Sequence, residues 1–101
     1  MQYRYAFTQK AALEIEEFYM HVSFKYRHTY SLLDMERNIF QAYTAANLIE
    51  KTLLRRKPTL TRWQKPGWHM ANKDKWYYAY TIDGDTITIQ DACHAQNMHE
   101  E

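Results

Sequence analysis

Two histidines near the end of the chain, His94 and His99, lie five residues apart in the stretch His94-Ala95-Gln96-Asn97-Met98-His99. Imidazole exchanges a proton near neutral pH, so the pair is a candidate for acid and base work. The residues before it, Thr86-Ile87-Thr88-Ile89-Gln90-Asp91-Ala92-Cys93, read as a β-strand, which sets His94 where a side chain can project past a sheet. Two histidines without accompanying cysteines or a fixed third ligand are a weak metal pattern, and no metal or other cofactor is expected. The second chemical feature is basic. Residues 51–75 carry Lys51, Arg55, Arg56, Lys57, Arg62, Lys65, Lys73 and Lys75 against Asp74 alone, whereas residues 76–101 hold Asp83, Asp85, Asp91, Glu100 and Glu101 with no lysine or arginine. In a chain of formal net charge +1, so concentrated a segment points to a local anionic partner.

The remaining histidines have plainer readings. His21 stands beside the apolar stripe of a predicted helix and His28 near its end, positions that suit packing or capping. His69, between Trp68 and Met70, belongs to a core or sheet surface. Composition bounds the rest: 101 residues, 46% apolar and 25% charged, describe one globular domain spanning 1–101. Nine tyrosines read as core and interface filler with a polar handle. The lone Cys93 excludes an internal disulfide and fits a reducing compartment as a small buried hydrophobe. Residues 1–10 lack an apolar signal core and no apolar run is long enough to span a bilayer, so a cytoplasmic protein with no membrane partner is expected.

The elements that must position these side chains follow from periodicity. Residues 2–7 alternate Tyr3, Tyr5 and Phe7 with Gln2, Arg4 and Ala6, the period of a half-buried strand. Thr8 is a candidate N-cap for a helix over about 9–27 whose face is Ala11, Ile15, Phe18, Val22 and Tyr26, with Ala12 and Tyr19. Ser31 and Asp34 form a short-armed capping box. From there Leu32, Met35, Ile39, Ala42, Ala46, Ile49 and Leu53 predict one long helix, with Arg55, Arg56 and Lys57 complementing its C-terminal dipole and Pro58 stopping it. Residues 58–67 read as a loop closed by Pro66-Gly67 in a type II turn. Strands are then predicted over 68–72, 75–82 and 86–93, the last two joined at Asp83-Gly84 by a type I′ turn. The fold class is therefore α+β, in the order β-α-α-β-β-β. A helical hairpin covers one face of a small, twisted, mainly antiparallel sheet, and the other face stays partly open.

This order of elements, with Tyr80-Thr81-Ile82-Asp83-Gly84-Asp85-Thr86-Ile87-Thr88-Ile89 followed by His94, resembles the RelE/ParE superfamily of bacterial toxin–antitoxin toxins. The resemblance implies a small toxin neutralised by a cognate antitoxin. RelE-like members cut messenger RNA on the ribosome and so arrest translation and growth; ParE-like members poison DNA gyrase by binding it. Cleavage needs a base for the 2′-hydroxyl, cations for the charged phosphorane and an acid for the leaving oxygen. On the RelE-like reading His94 and His99 are the catalytic pair. Lys57, Arg62, Lys65, Lys73 and Lys75 then grip phosphates, and Trp63 or Trp68 stacks on a base. Two departures weaken the cationic clamp: Tyr77 stands where RelE-like toxins often carry an arginine, and Ala95 follows His94 where another is common. They keep open the gyrase reading and that of a non-toxic, antitoxin-binding relative.

Overall fold

The computed structural model describes residues 2–98, so His99 lies outside the described residues. The chain runs β1 (Arg4–Phe7), α1 (Gln9–Lys25), α2 (Leu32–Ala46), α3 (Thr61–Gln64), β2 (His69–Lys73), β3 (Trp76–Asp83) and β4 (Thr86–His94), with short 3₁₀ turns at Ile49–Lys51 and Ala95–Asn97. Apart from the single-turn α3, this is the expected β-α-α-β-β-β order. The sheet is ordered β1-β4-β3-β2. β1 runs parallel to β4, with Tyr5 opposite Ile87 and Phe7 opposite Ile89, and the other pairings are antiparallel. No helix among the described residues is long and apolar enough to cross a membrane.

The local signals for the two long helices act as expected at their starts. The Thr8 hydroxyl accepts from the Ala11 N–H, and the Ser31–Asp34 capping box closes in both directions. Their ends differ from the periodicity. α1 stops at Lys25, leaving Tyr26 as its cap and half exposed. α2 stops at Ala46, well short of the expected end near Lys57. Ala42, Ala45, Ala46 and Ile49 are buried, but Leu32 and Leu53 at the two ends of the predicted stripe are 67% and 76% exposed.

Past Ala46, tyrosines on the sheet take backbone donors that a longer helix would use for itself. The Tyr5 hydroxyl accepts the Glu50 N–H at 2.9 Å and donates to the Glu50 carboxylate at 3.1 Å, while the Tyr80 hydroxyl accepts the Arg55 N–H at 2.8 Å. With those donors satisfied from outside, continuing the helix gains nothing, and Arg55 enters the left-handed region at φ 65°. Arg55, Arg56 and Lys57 thus lie in a non-helical connection that begins with a turn, and do not complement a helix end. That connection is anchored by the Met70 N–H donating to the Arg56 carbonyl.

Three turns show what the chain does with its few special conformations. Gly67, at φ 76°, closes α3: its N–H reaches the Gln64 carbonyl at 3.0 Å and the Trp68 N–H reaches the Trp63 carbonyl at 3.2 Å. This is a Schellman cap, in place of the predicted type II turn. Between β3 and β4 the pairing of Asp83 with Thr86 makes Gly84 and Asp85 the two turn residues, one position later than predicted. Gly84 alone has positive φ there, at 62°, the pattern of a type II′ turn with its glycine first. The β2–β3 turn, Asp74-Lys75, uses Asp74 at φ 57°.

The helices cover one face of the sheet. Ala11 and Ile15 of α1 and Ala42, Ala45 and Ala46 of α2 pack on Tyr78, Tyr80, Ile87, Ile89 and Ala92. Each wholly buried isoleucine there contributes roughly 1.5–3 kcal/mol relative to exposure. The Tyr78 hydroxyl donates to the Ala42 carbonyl at 2.6 Å, so a tyrosine serves as filler and as a tie between layers. On the opposite face Leu60 and Trp63 close a second, smaller core over Met70, Ala79 and Cys93. The part of this face carrying Thr81, Thr86, Thr88 and Gln90 stays partly accessible.

A β-bulge decides which side chains meet which core. Ala79 pairs with Asp91 and Tyr80 with Ile89, so Gln90 is an extra residue on β4. Strict alternation from Ile87 and Ile89 places Asp91 and Cys93 under the helices. The extra residue reverses the phase, sending Asp91 and Cys93 to the second core and turning Ala92 and His94 toward α1.

Candidate functional site

Because of the bulge, His94 does not project past the sheet. It folds back against α1, its ring stacked on Phe18 at 4.2 Å between centroids and met edge-on by Trp76 at 5.4 Å. Trp76 is held in turn by its indole N–H donating to the Tyr19 hydroxyl at 3.1 Å. His94 thus stands at the junction of two clefts. One, of about 480 Å³, runs between α1, the end of β4 and α3, and its walls include Glu14, Glu17, Phe18, His21, Arg62 and Asn97. The other, of about 690 Å³, lies between α2 and the β2–β3 turn and includes Asn38, Phe40, Asp74 and Lys75.

The protonation of His94 follows from its contacts. Its Nδ1 accepts the Gln96 backbone N–H at 3.2 Å, which places the neutral ring's own proton on Nε2. Burial, and secondarily the Lys75 ammonium, push its pKa below the ordinary 6.5. At neutral pH the ring therefore presents a fixed N–H donor and has no lone pair available for a substrate proton. Of the acid and base work expected of His94, the base role does not suit this geometry; hydrogen-bond donation to a phosphate or other oxygen does.

An experimental sign follows. The unfolded chain protonates His94 near 6.5 while the folded chain resists, so below 6.5 the unfolded state binds more protons and stability falls with falling pH until the lower folded value is passed. His69, whose pKa burial and then Arg55 also lower, adds to the same trend. Imidazole NMR is expected to show the Nε2–H tautomer for His94 and a midpoint below 6.5; an Nδ1–H tautomer or a midpoint above 6.5 contradicts the assignment.

The predicted RNA-binding residues do not all converge. Lys75 is exposed in the β2–β3 turn, and its carbonyl accepts the Ala95 N–H at 2.8 Å just past His94. Arg62 lines the smaller cleft. Lys73 ends β2, opposite Trp76. Lys57 and Lys65 are exposed at either side of α3, and neither lines a cleft that His94 shares. Trp68 is half-buried at the edge of the second core. Trp63 is wholly buried, so its ring offers no face for a base to stack on.

Trp63 instead belongs to a polar cluster that the sequence patterns did not single out. Its indole N–H donates to Asp91 Oδ2 at 2.8 Å. Asp91, 1% exposed, accepts its own neighbour Ala92 N–H at 2.8 Å and pairs with Lys10 at 3.0 Å and Arg62 at 3.8 Å. The carboxylate ties α1, α3 and β4 together and holds Arg62 at the cleft wall. Arg62 also lies over the Trp63 ring at 5.7 Å. Burial pushes the Cys93 thiol pKa up, consistent with a packing role. His21, expected to pack or cap, is exposed and forms part of the same cleft as His94. Only the one-turn spacing from Phe18 carried a signal of this, and that spacing has meaning only once Phe18 is known to carry His94.

No protein-family model and no curated protein matches this chain. Among solved structures it is similar to a chain of the chromosomal ParDE TA system from P. aeruginosa, with 15% sequence identity and a TM-score of 0.57, over 92% of this chain and 96% of that one. What the two chains share is the fold, and the α+β arrangement expected from the RelE/ParE resemblance is the one found.

Proposed function

We propose that this protein is the toxin of a toxin–antitoxin pair, held inactive by a cognate antitoxin, and that it acts on messenger RNA at the ribosome without a cofactor. The observation that carries the toxin reading is the correspondence, over nearly the whole of both chains, with a component of a ParDE TA system. The RNA reading draws on His94, whose fixed N–H stands where the smaller cleft, walled by Arg62, meets the larger one, walled by Lys75. Such donors stabilise charge that develops on a phosphorane. In this reading Lys57, Lys65 and Lys73 add longer-range attraction for the RNA backbone, Trp68 is the stacking surface, and His99 remains a candidate proton-transfer group.

The second reading is a ParE-like inhibitor that binds DNA gyrase and has no catalytic centre. Two features favour it: the Nδ1 lone pair of His94 is already taken, and Arg62 is committed to Asp91. Inducing the protein in a bacterial host separates the two. Immediate loss of protein synthesis, with new 5′ ends in cellular messages, is expected. Induction of the DNA-damage response with messages intact shifts the assignment to gyrase, and unimpaired growth with abundant folded protein points to a non-toxic antitoxin-binding relative.

A further inference from the structure

We propose that His21, on α1, is the group that takes the 2′-hydroxyl proton of RNA in the smaller cleft, whose wall it shares with His94. This rests on the RNA-cleaving reading above and names a base within the described cleft.

Both imidazoles form the wall of one cleft of about 480 Å³. Phe18, whose ring stacks on His94, precedes His21 by three positions in α1, and such positions lie about 5–6 Å apart at Cβ. His21 therefore stands one turn along the helix from the ring that carries His94. Among the described residues its imidazole makes no hydrogen bond or ion pair, and it is exposed, so a ring nitrogen is open to a ligand. His94 has no such freedom, because the Gln96 N–H occupies its lone pair. The charged and titratable groups that share the cleft wall with His21 are Glu14 and Glu17 from α1, Arg62 from α3, and Cys93 and His94 from β4, and Lys25 follows it one turn on in α1. Glu17 stands one turn before His21 on the same helix face. Arg62 offsets the two carboxylates toward a phosphate.

The step balances as a transesterification. A His21 ring nitrogen takes the 2′-hydroxyl proton, a bond forms from the 2′-oxygen to phosphorus, and the bond from phosphorus to the 5′-oxygen breaks. The leaving 5′-oxygen takes a proton from water, giving a 2′,3′-cyclic phosphate and a 5′-hydroxyl. Throughout, the Nε2–H of His94 donates to a non-bridging oxygen.

The test measures single-turnover cleavage of a defined message on ribosomes, across pH, for the wild type and for His21→Ala, with folding checked by circular dichroism and ribosome binding measured separately. His21→Ala is expected to lower the rate by about 10²–10⁴-fold, leave ribosome binding unchanged, abolish the rise of rate with pH on the acid side, and regain activity with added imidazole. A folded His21→Ala protein that cleaves like the wild type, or that loses ribosome binding in step with rate while keeping the acid limb, overturns the assignment and leaves the ribonuclease reading standing. Absence of cleavage by the wild type, beside an active control ribonuclease, removes the ribonuclease reading and this inference together.

Discussion

Replacing Trp63 with alanine is expected to cost about 3–5 kcal/mol of folding free energy, a large share of what holds a domain of this size together. The ring is wholly buried among Leu60, Met70, Ala79 and Cys93, so truncation leaves a cavity in the smaller of the two cores. It also strips Asp91 of the indole N–H that meets its Oδ2 at 2.8 Å, in a place where the carboxylate has almost no access to water. Trp63→Phe separates the two contributions. It keeps most of the apolar volume but removes the donor, and a hydrogen bond to a charged group is worth about 1.5–3 kcal/mol. Urea unfolding of both variants, compared at constant m, reads the difference directly. A Trp63→Phe protein as stable as the wild type would show that Lys10 and Arg62 satisfy Asp91 without the indole.

The second large effect is expected at Ile15. This residue is wholly buried where α1 crosses the sheet, and Ile15→Ala should lose about 2–5 kcal/mol, against about 0.5–1.5 for Ile15→Val. The consequence reaches the cleft, because the packing that seats Ile15 also seats Phe18, one turn on, against His94. Loosened packing lets water to the His94 ring and removes part of the burial that lowers its pKa. The Ile15→Ala protein is therefore expected to show both a lower urea midpoint and a His94 titration moved back toward 6.5. A destabilised protein with an unmoved His94 titration would mean that α1 holds the cleft through contacts other than Ile15.

Much of the fold is legible in the chain itself, because its signals are short in range. The alternation of Tyr3, Tyr5 and Phe7, the Thr8 cap, the Ser31–Asp34 capping box and the paired strands around Gly84 each involve residues a few positions apart. Together they determine the element order, the α+β class and two of the helix starts. The end of α2 and the phase of β4, by contrast, depend on distant partners. Beyond α2, the backbone donors of Glu50 and Arg55 are taken by hydroxyls 45 and 25 residues away in sequence, those of Tyr5 and Tyr80, against an apolar periodicity that ran on to Leu53. The bulge at Gln90 breaks a regular alternation that nothing in the strand's own pattern interrupts.

The candidate site divides along the same line. The sequence by itself determined that His94 ends the last strand and that Lys75 and Arg62 belong to a basic segment. Tertiary structure alone decided that the bulge turns His94 onto Phe18, that Gln96 and burial make its ring a neutral donor, and that Trp63 is buried against Asp91. It also brought His21 into the cleft. The physical reason is that residue type and spacing set what a side chain can do chemically, whereas its proton, its exposure and its neighbours depend on contacts made across the core.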